Sequence, residues 1–191
     1  MTDQYSVENY LVAKDVFEEL LKDEFHCHAE PQVREKVIVE FERRFSEFLQ
    51  VTKEINRRLF IARRLGLRLA KGLPKSINHL AVVGLRSVAA GAFSPEAIVA
   101  FETEPPKEDH DQLTDEFLKL DPQTRYRGKF NHLFFIKWLD LLCSERRETD
   151  SEIFGRLQKP RTVSIQSISL GMLASKSSLP AGLSGFIEAV E

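Results

Sequence analysis

The chain has 191 residues, with 27 Lys plus Arg against 29 Asp plus Glu, a formal charge of -2 and a pI near 6.2. That length suits one domain and is short for two large ones, and so even a charge balance gives the whole surface no pull on nucleic acid, although a local patch can have one. A hydrophobic fraction of 42%, a charged fraction of 29% and 14 Phe indicate a folded domain, while two Cys cannot build a disulfide framework or a four-sulfur metal site.

The first residues, Met1-Thr2-Asp3-Gln4-Tyr5, place an acid where a secretory signal needs a base, and Asp15, Glu18, Glu19, Asp23 and Glu24 fit a transit peptide poorly. The most apolar window, Asn131 to Cys143, is interrupted by His132, Lys137 and Asp140. It falls short of the roughly 20 apolar residues that span a bilayer. These features predict no membrane span and a cytoplasmic location, with Cys27 and Cys143 as free thiols.

Ser6 can cap a first helix running to about Lys22 or Phe25, with Tyr10, Ala13, Phe17, Leu20 and Leu21 on one side. From Pro31, a residue suited to the first position of a helix, an apolar series runs Val33, Val37, Phe41, Phe45, Phe48, Val51, Ile55, Leu59, Ala62, Leu65, Leu69. Its average step matches the helical period of about 3.6 residues, so it predicts one long straight amphipathic helix from Pro31 to Ala70. Gly66 can break or bend this helix, and Gly72 followed by Pro74 ends it. A shorter helix is expected over Ile77 to Ala90, and Ser94-Pro95-Glu96 can start another turn at Ala97 to Phe101. Residues 102–109 read as a polar linker.

Asp111 or Thr114 can cap a short helix carrying Leu113, Phe117, Leu118 and Leu120. The next segment, Arg125 to about Glu145, is apolar nearly all round between Leu133 and Cys143, as expected of a helix enclosed by its neighbours. Arg161 to Leu170 is β-branched but alternates imperfectly, which predicts an edge strand with a bulge or an extended arm. The expected fold is therefore all-α: a helical bundle domain over 6–147 organised around one long amphipathic helix, with a C-terminal extended or β-like arm over 148–191. The arm is expected to pack on the bundle or on a partner.

For chemistry, His26-Cys27-His28 can align two imidazoles on an extended segment, but a metal needs three or four ligands and His79, His110 and His132 lie in no signature spacing. GxxxxGK[ST], GxGxxG and GxSxG are all absent, so no metal, nucleotide or other cofactor is expected. At 100° per residue, Lys53, Arg57, Arg64, Arg68 and Lys71 fall opposite the apolar stripe, with Arg58 and Arg63 beside it and Lys75 beyond. In residues 53–75 only Glu54 offsets them. A face of this kind can bind nucleic acid or another anion. The acidic residues of 96–121 can equally neutralise it from within the chain or from a second subunit.

The segment Arg125-Tyr-Arg-Gly-Lys-Phe-Asn-His132 sets arginines four and six residues before a histidine. An Arg can hold the charged oxygens of a phosphodiester while a His moves a proton. Here the chain resembles the HEPN superfamily of small helical bundles, many of whose members are metal-independent ribonucleases with an R-x4–6-H motif near the start of a late helix. The resemblance implies Arg127, His132 and Arg125 as catalytic candidates and a dimer with a composite cleft. Gly128 departs from the family pattern, which favours Asn, Asp or His after the arginine. On the wheel of one continuous helix, His132 lies near Arg125. The leading expectation is a non-enzymatic binding protein, a regulator, adaptor or inhibitor working through protein contacts or self-association. The alternatives are a nucleic-acid-binding regulator using residues 53–75 and a HEPN-like ribonuclease.

Overall fold

The computed structural model describes residues 6–156 and 163–177. Within them the chain is mostly helical, and no described helix is long and apolar enough to cross a membrane. The first expected helix is two: α1 (Val7–Leu11) and α2 (Lys14–Asp23), separated where Ala13 turns extended at ψ 154. That turn lets Leu11, Val12, Val16, Phe17, Leu20 and Leu21 all reach the core, which the phase of one straight helix does not allow.

The long helix from Pro31 to Ala70 is also divided, into α3 (Pro31–Val51) and α4 (Lys53–Arg64). At the junction, the Thr52 hydroxyl donates to the Phe48 carbonyl at 2.8 Å, alongside the Thr52 N–H at 3.0 Å. Back-bonding of this kind bends helices. The Asn56 N–H and its side-chain amide both donate to the Thr52 carbonyl at 3.0 Å, so pairing continues across the bend. Gly66, not Gly72, ends α4. Its φ of +65° is open to glycine at little cost, and the Leu67 N–H closes back on the Ala62 carbonyl at 2.8 Å. The apolar stripe is correspondingly buried or partly buried as far as Ala62, whereas Leu65 is 38% exposed.

The helix expected over Ile77–Ala90 is instead a 3-10 turn (Ile77–His79) and an antiparallel hairpin, β1 (Ala81–Val83) with β2 (Val88–Ala90), in the register Val82 opposite Ala89. Val82, Val83 and Val88 are stiff β-branched residues that favour strands. The Val88 N–H donates to Glu47 Oε2 of α3 at 3.1 Å. Ser94 caps α5 (Pro95–Ile98) by accepting from the Ala97 N–H. α6 (Lys107–Leu118) starts inside the expected linker, with Glu108 and Asp109 in its first turn where the helix dipole favours acids. Asp121 caps α7 (Pro122–Arg125), and α8 (Gly128–Glu145) follows.

Phe17 of α2, Phe41 and Phe48 of α3, and Phe134, Phe135 and Trp138 of α8 form the aromatic centre, with Phe17–Phe41 rings 4.6 Å apart and Phe48–Phe134 4.8 Å. A second short hairpin, β3 (Asp150–Ser151) and β4 (Gly155–Arg156), follows α8. The β-like arm is corrected over residues 163–177, which form a 3-10 turn (Ile165–Ser167) and α9 (Leu170–Lys176). Ser164 and Ser169 each accept a backbone N–H and so start helical turns, overriding the imperfect strand pattern. Val163, Ile168 and Leu173 are buried in the same cluster as the helices before them. The rest of the expected arm, 157–162 and 178–191, lies outside the described residues.

Candidate functional site

The start of α8 is held by α1 and α4. Asn9 of α1 donates its side-chain amide to the carbonyls of Gln123 and Thr124 at 2.9 Å each and to Tyr126 at 3.2 Å. These carbonyls lie where α7 ends and lack the partners a continuing helix supplies. α1 approaches so closely that a Cβ on Gly128 would collide with Ser6 Oγ and Asn9 Oδ1. The glycine that departs from the HEPN pattern is thus required by packing. On the other side, the Arg127 N–H donates to Asn56 Oδ1 of α4 at 2.9 Å.

Beside this junction lies a groove of about 570 Å³, between the start of α8, the 72–75 loop, Glu8 of α1 and Leu170 of α9. Leu73, Pro74, Phe130, Leu133 and Leu170 make it apolar, while Lys75, Arg127, Lys129 and His132 bring basic groups against the single carboxylate of Glu8. The Arg127 guanidinium lies 5.3 Å from the centre of the Phe130 ring. Arg127 Nε and His132 Nε2 are buried and have no hydrogen-bond partner among the described residues.

Burial pushes the His132 imidazole below its ordinary value, with Glu8 opposing, and so favours the neutral ring. Burial likewise lowers Arg127, again opposed by Glu8. For Glu8 itself, burial acts to raise the carboxyl. Its own backbone N–H, the Ser6 hydroxyl, Lys129 and His132 outweigh this and hold it below the usual carboxylate value.

The sequence candidates separate in space. Arg127 and His132 line the groove together, but Arg125 does not. The single helical wheel that set Arg125 near His132 fails because Arg125 ends α7 and Tyr126 and Arg127 are extended, at ψ 165 and ψ 109. Arg125 is exposed and lines a second cleft with Arg63, which Arg127 borders as well.

Nor do Lys53, Arg57, Arg64, Arg68 and Lys71 form one helical face. Lys53 opens α4 half-buried, and Arg68 and Lys71 are exposed beyond Gly66, off the helix. Although Arg57 falls opposite the apolar stripe, its side chain is only 16% exposed. It donates to Glu54 at 2.8 Å and to Thr114 of α6 at 2.9 Å, with His110 at 3.0 Å. Arg64 pairs with Glu116 at 2.6 Å, and buried Arg58 pairs with Glu104 at 2.6 Å. The acidic 96–121 segment therefore supplies internal counter-charges to part of the row.

Cys27 is buried while His26 and His28 are exposed, so the three side chains do not converge, and among the described residues no group of three His, Cys, Asp or Glu is placed as metal ligands. Burial raises the thiols of Cys27 and Cys143 to about 11 each. Sequence reasoning missed Glu8, Leu73 and Leu170 as groove residues and Asn9 as the clasp of α7, since each is joined to α8 only by a long-range contact. Compared with family models, with curated proteins and with solved structures, the chain gives no match.

Proposed function

We propose that the chain acts by binding, as a regulator, adaptor or inhibitor, and that the groove at the start of α8 takes an acidic segment of a partner protein bearing one or two large apolar side chains. The observation that carries this reading is the combination of an apolar floor with Lys75, Arg127, Lys129 and His132 against Glu8 alone. Each large apolar side chain that enters contributes about 1.5–3 kcal/mol from burial. The basic rim selects neighbouring acids and guides the encounter. The test is calorimetric titration with a panel of short peptides combining Asp or Glu with Leu or Phe. Some members are expected to bind, and Lys75→Glu with Lys129→Glu to abolish that binding while leaving the far-UV spectrum unchanged. Failure of the whole panel, or undiminished affinity in the double variant, sinks the reading.

A second reading, HEPN-like metal-independent RNA cleavage, draws support from one specific observation: Arg127 and His132 share the groove, with His132 Nε2 buried and unpartnered. In that chemistry a neutral His132 takes the proton of a ribose 2′-hydroxyl, whose oxygen attacks the adjacent phosphorus and expels the 5′-oxygen, while Arg127 holds the phosphoryl oxygens. Incubation of single-stranded RNA in excess chelator should then leave a cyclic phosphate, and His132→Ala should abolish the product. No cleavage across a broad RNA panel removes this reading without touching the first.

A further inference from the structure

A second hollow, of about 280 Å³, adjoins the groove: Gly72 and Pro74 line both, so the two meet across the 72–75 loop. Phe93, His79 and Ile98 make its walls, Lys71 stands beside them, and no carboxylate is among its lining residues. Phe93 is 51% exposed, with its ring at 87° to that of His79 and 5.2 Å away. Backbone packing fixes this pair. The Gly91 N–H donates to the Leu80 carbonyl at 3.1 Å, and a Cβ on Gly91 would lie 2.7 Å from the His79 carbonyl oxygen. The hollow is smaller than the roughly 300–1,000 Å³ of a pocket that encloses a drug-sized molecule. It suits a single side chain.

The loop between the two hollows is open to a partner. The Ala70 N–H donates to the Ala100 carbonyl at 2.9 Å, and the Glu102 N–H to the Arg68 carbonyl at 3.0 Å. From Lys71 to Lys75 no backbone group is hydrogen-bonded to another described residue. Lys71 and Lys75 are exposed and have no ion-pair partner among the described residues, whereas Arg57, Arg58 and Arg64 each meet a glutamate.

We infer that the partner segment of the groove crosses the 72–75 loop and seats a second large apolar side chain against Phe93 and His79, with acidic residues between its two anchors. This rests on the groove reading and adds the partner's layout to it. The apolar hollows hold the anchors, and Lys71 and Lys75 attract the acids that join them. Unpaired main-chain groups of the loop pair with the partner's backbone, as they do where an added segment extends a sheet edge.

The test is fluorescence anisotropy of the full chain with labelled peptides in which Leu and Phe are joined by Glu spacers of increasing length, in both chain orders. Each is compared with the same peptide carrying Ala in place of Phe. At the spacer that spans the loop, Phe should tighten binding by roughly 10–100-fold over Ala, as expected for burial of one more large side chain. Phe93→Ala should remove most of that gain and leave the Ala peptide's affinity unchanged. Ala97→Glu, which narrows the hollow from the α5 side, should remove the gain too. Val82→Ala, which trims an exposed side chain outside the hollow, should change neither. Equal binding of the Phe and Ala peptides at every spacer overturns the inference and leaves the groove reading standing. A gain that survives both Phe93→Ala and Ala97→Glu does the same. Self-association that Phe93→Ala abolishes, with no gain from Phe in any peptide, assigns the hollow to a second copy and also overturns it. No binding by any peptide retires the groove reading and this inference together.

Discussion

On α3 the buried face is aromatic: Phe41, Phe45 and Phe48 stack against Phe134 of α8, with Phe41 also meeting Phe17 and Trp138. On α4, the next helix along the same apolar stripe, Ile55, Leu59 and Ala62 are buried, but much of the outward contact is ionic, Arg57 and Arg64 reaching Thr114 and Glu116 of α6 and Arg58 reaching Glu104. Stacked rings exclude water and lose dispersion contacts when truncated. Ion pairs at a surface exchange one set of polar partners for another and are screened by salt. One continuous hydrophobic period thus serves two kinds of packing, and the two should respond very differently to mutation.

The largest effect is expected on the aromatic side. Phe48 is fully buried and Phe41 is 2% exposed, so truncating either to Ala should cost about 3–5 kcal/mol by urea unfolding. A loss below about 1 kcal/mol for both would show that the stripe is not packed against α8. On the ionic side, Arg57→Ala should cost about 1.5–3 kcal/mol, because the half-buried guanidinium joins Glu54, Thr114 and His110. A double-mutant cycle with Thr114→Ala should return a coupling between the two sites, and strict additivity would deny the contact.

The start of α8 is where the two regions meet, since Asn56 of α4 accepts the Arg127 N–H there. Gly128→Ala should cost about 1–3 kcal/mol by overpacking against Ser6 and Asn9, and Ser6→Gly should recover part of it. Full stability of Gly128→Ala would mean that α1 does not close on α8.

A gentler effect is a pH slope at the same place. Burial holds the folded pKa of His132 below that of the unfolded chain, so the unfolded chain takes up the proton first. This contribution is fully present above the unfolded value of about 6.5 and is lost as pH falls from there through the folded pKa. The urea midpoint should decline over that window by less than one proton's worth, and His132→Gln should flatten the decline; an unchanged slope would assign it to another group. Smallest of all, the Arg64–Glu116 pair is half in solvent, so Arg64→Ala should change stability by about 0–1 kcal/mol. A loss as large as that of Arg57→Ala would erase the distinction between the paired rim and the buried anchor.

Local signals in the chain were enough for the helix starts at Pro31 and after Ser94, the enclosed helix that ends near Glu145 and the burial of most of the stripe from Val37 to Ala62, because period, caps and proline act over a few residues. The pairing of Arg127 with His132 as candidates was also visible, being five positions apart. Elsewhere local rules competed. At Thr52 a side chain bonds back to Phe48 within a helical pattern; after Ile77 β-branched residues take a hairpin against α3; at Gly66 a left-handed residue outranks the stripe continuing to Leu69.

The sequence by itself determined a mostly helical chain with aromatic faces to bury and basic residues concentrated near 53–75 and 125–132, since these depend on residue type and on spacing within one helix. Only the tertiary structure decided which of those cations are neutralised and which gather in a groove or a cleft. Glu116 reaches Arg64 and Glu8 reaches the groove across separations of 52 to 124 residues, fixed by how helices pack and not by any local period.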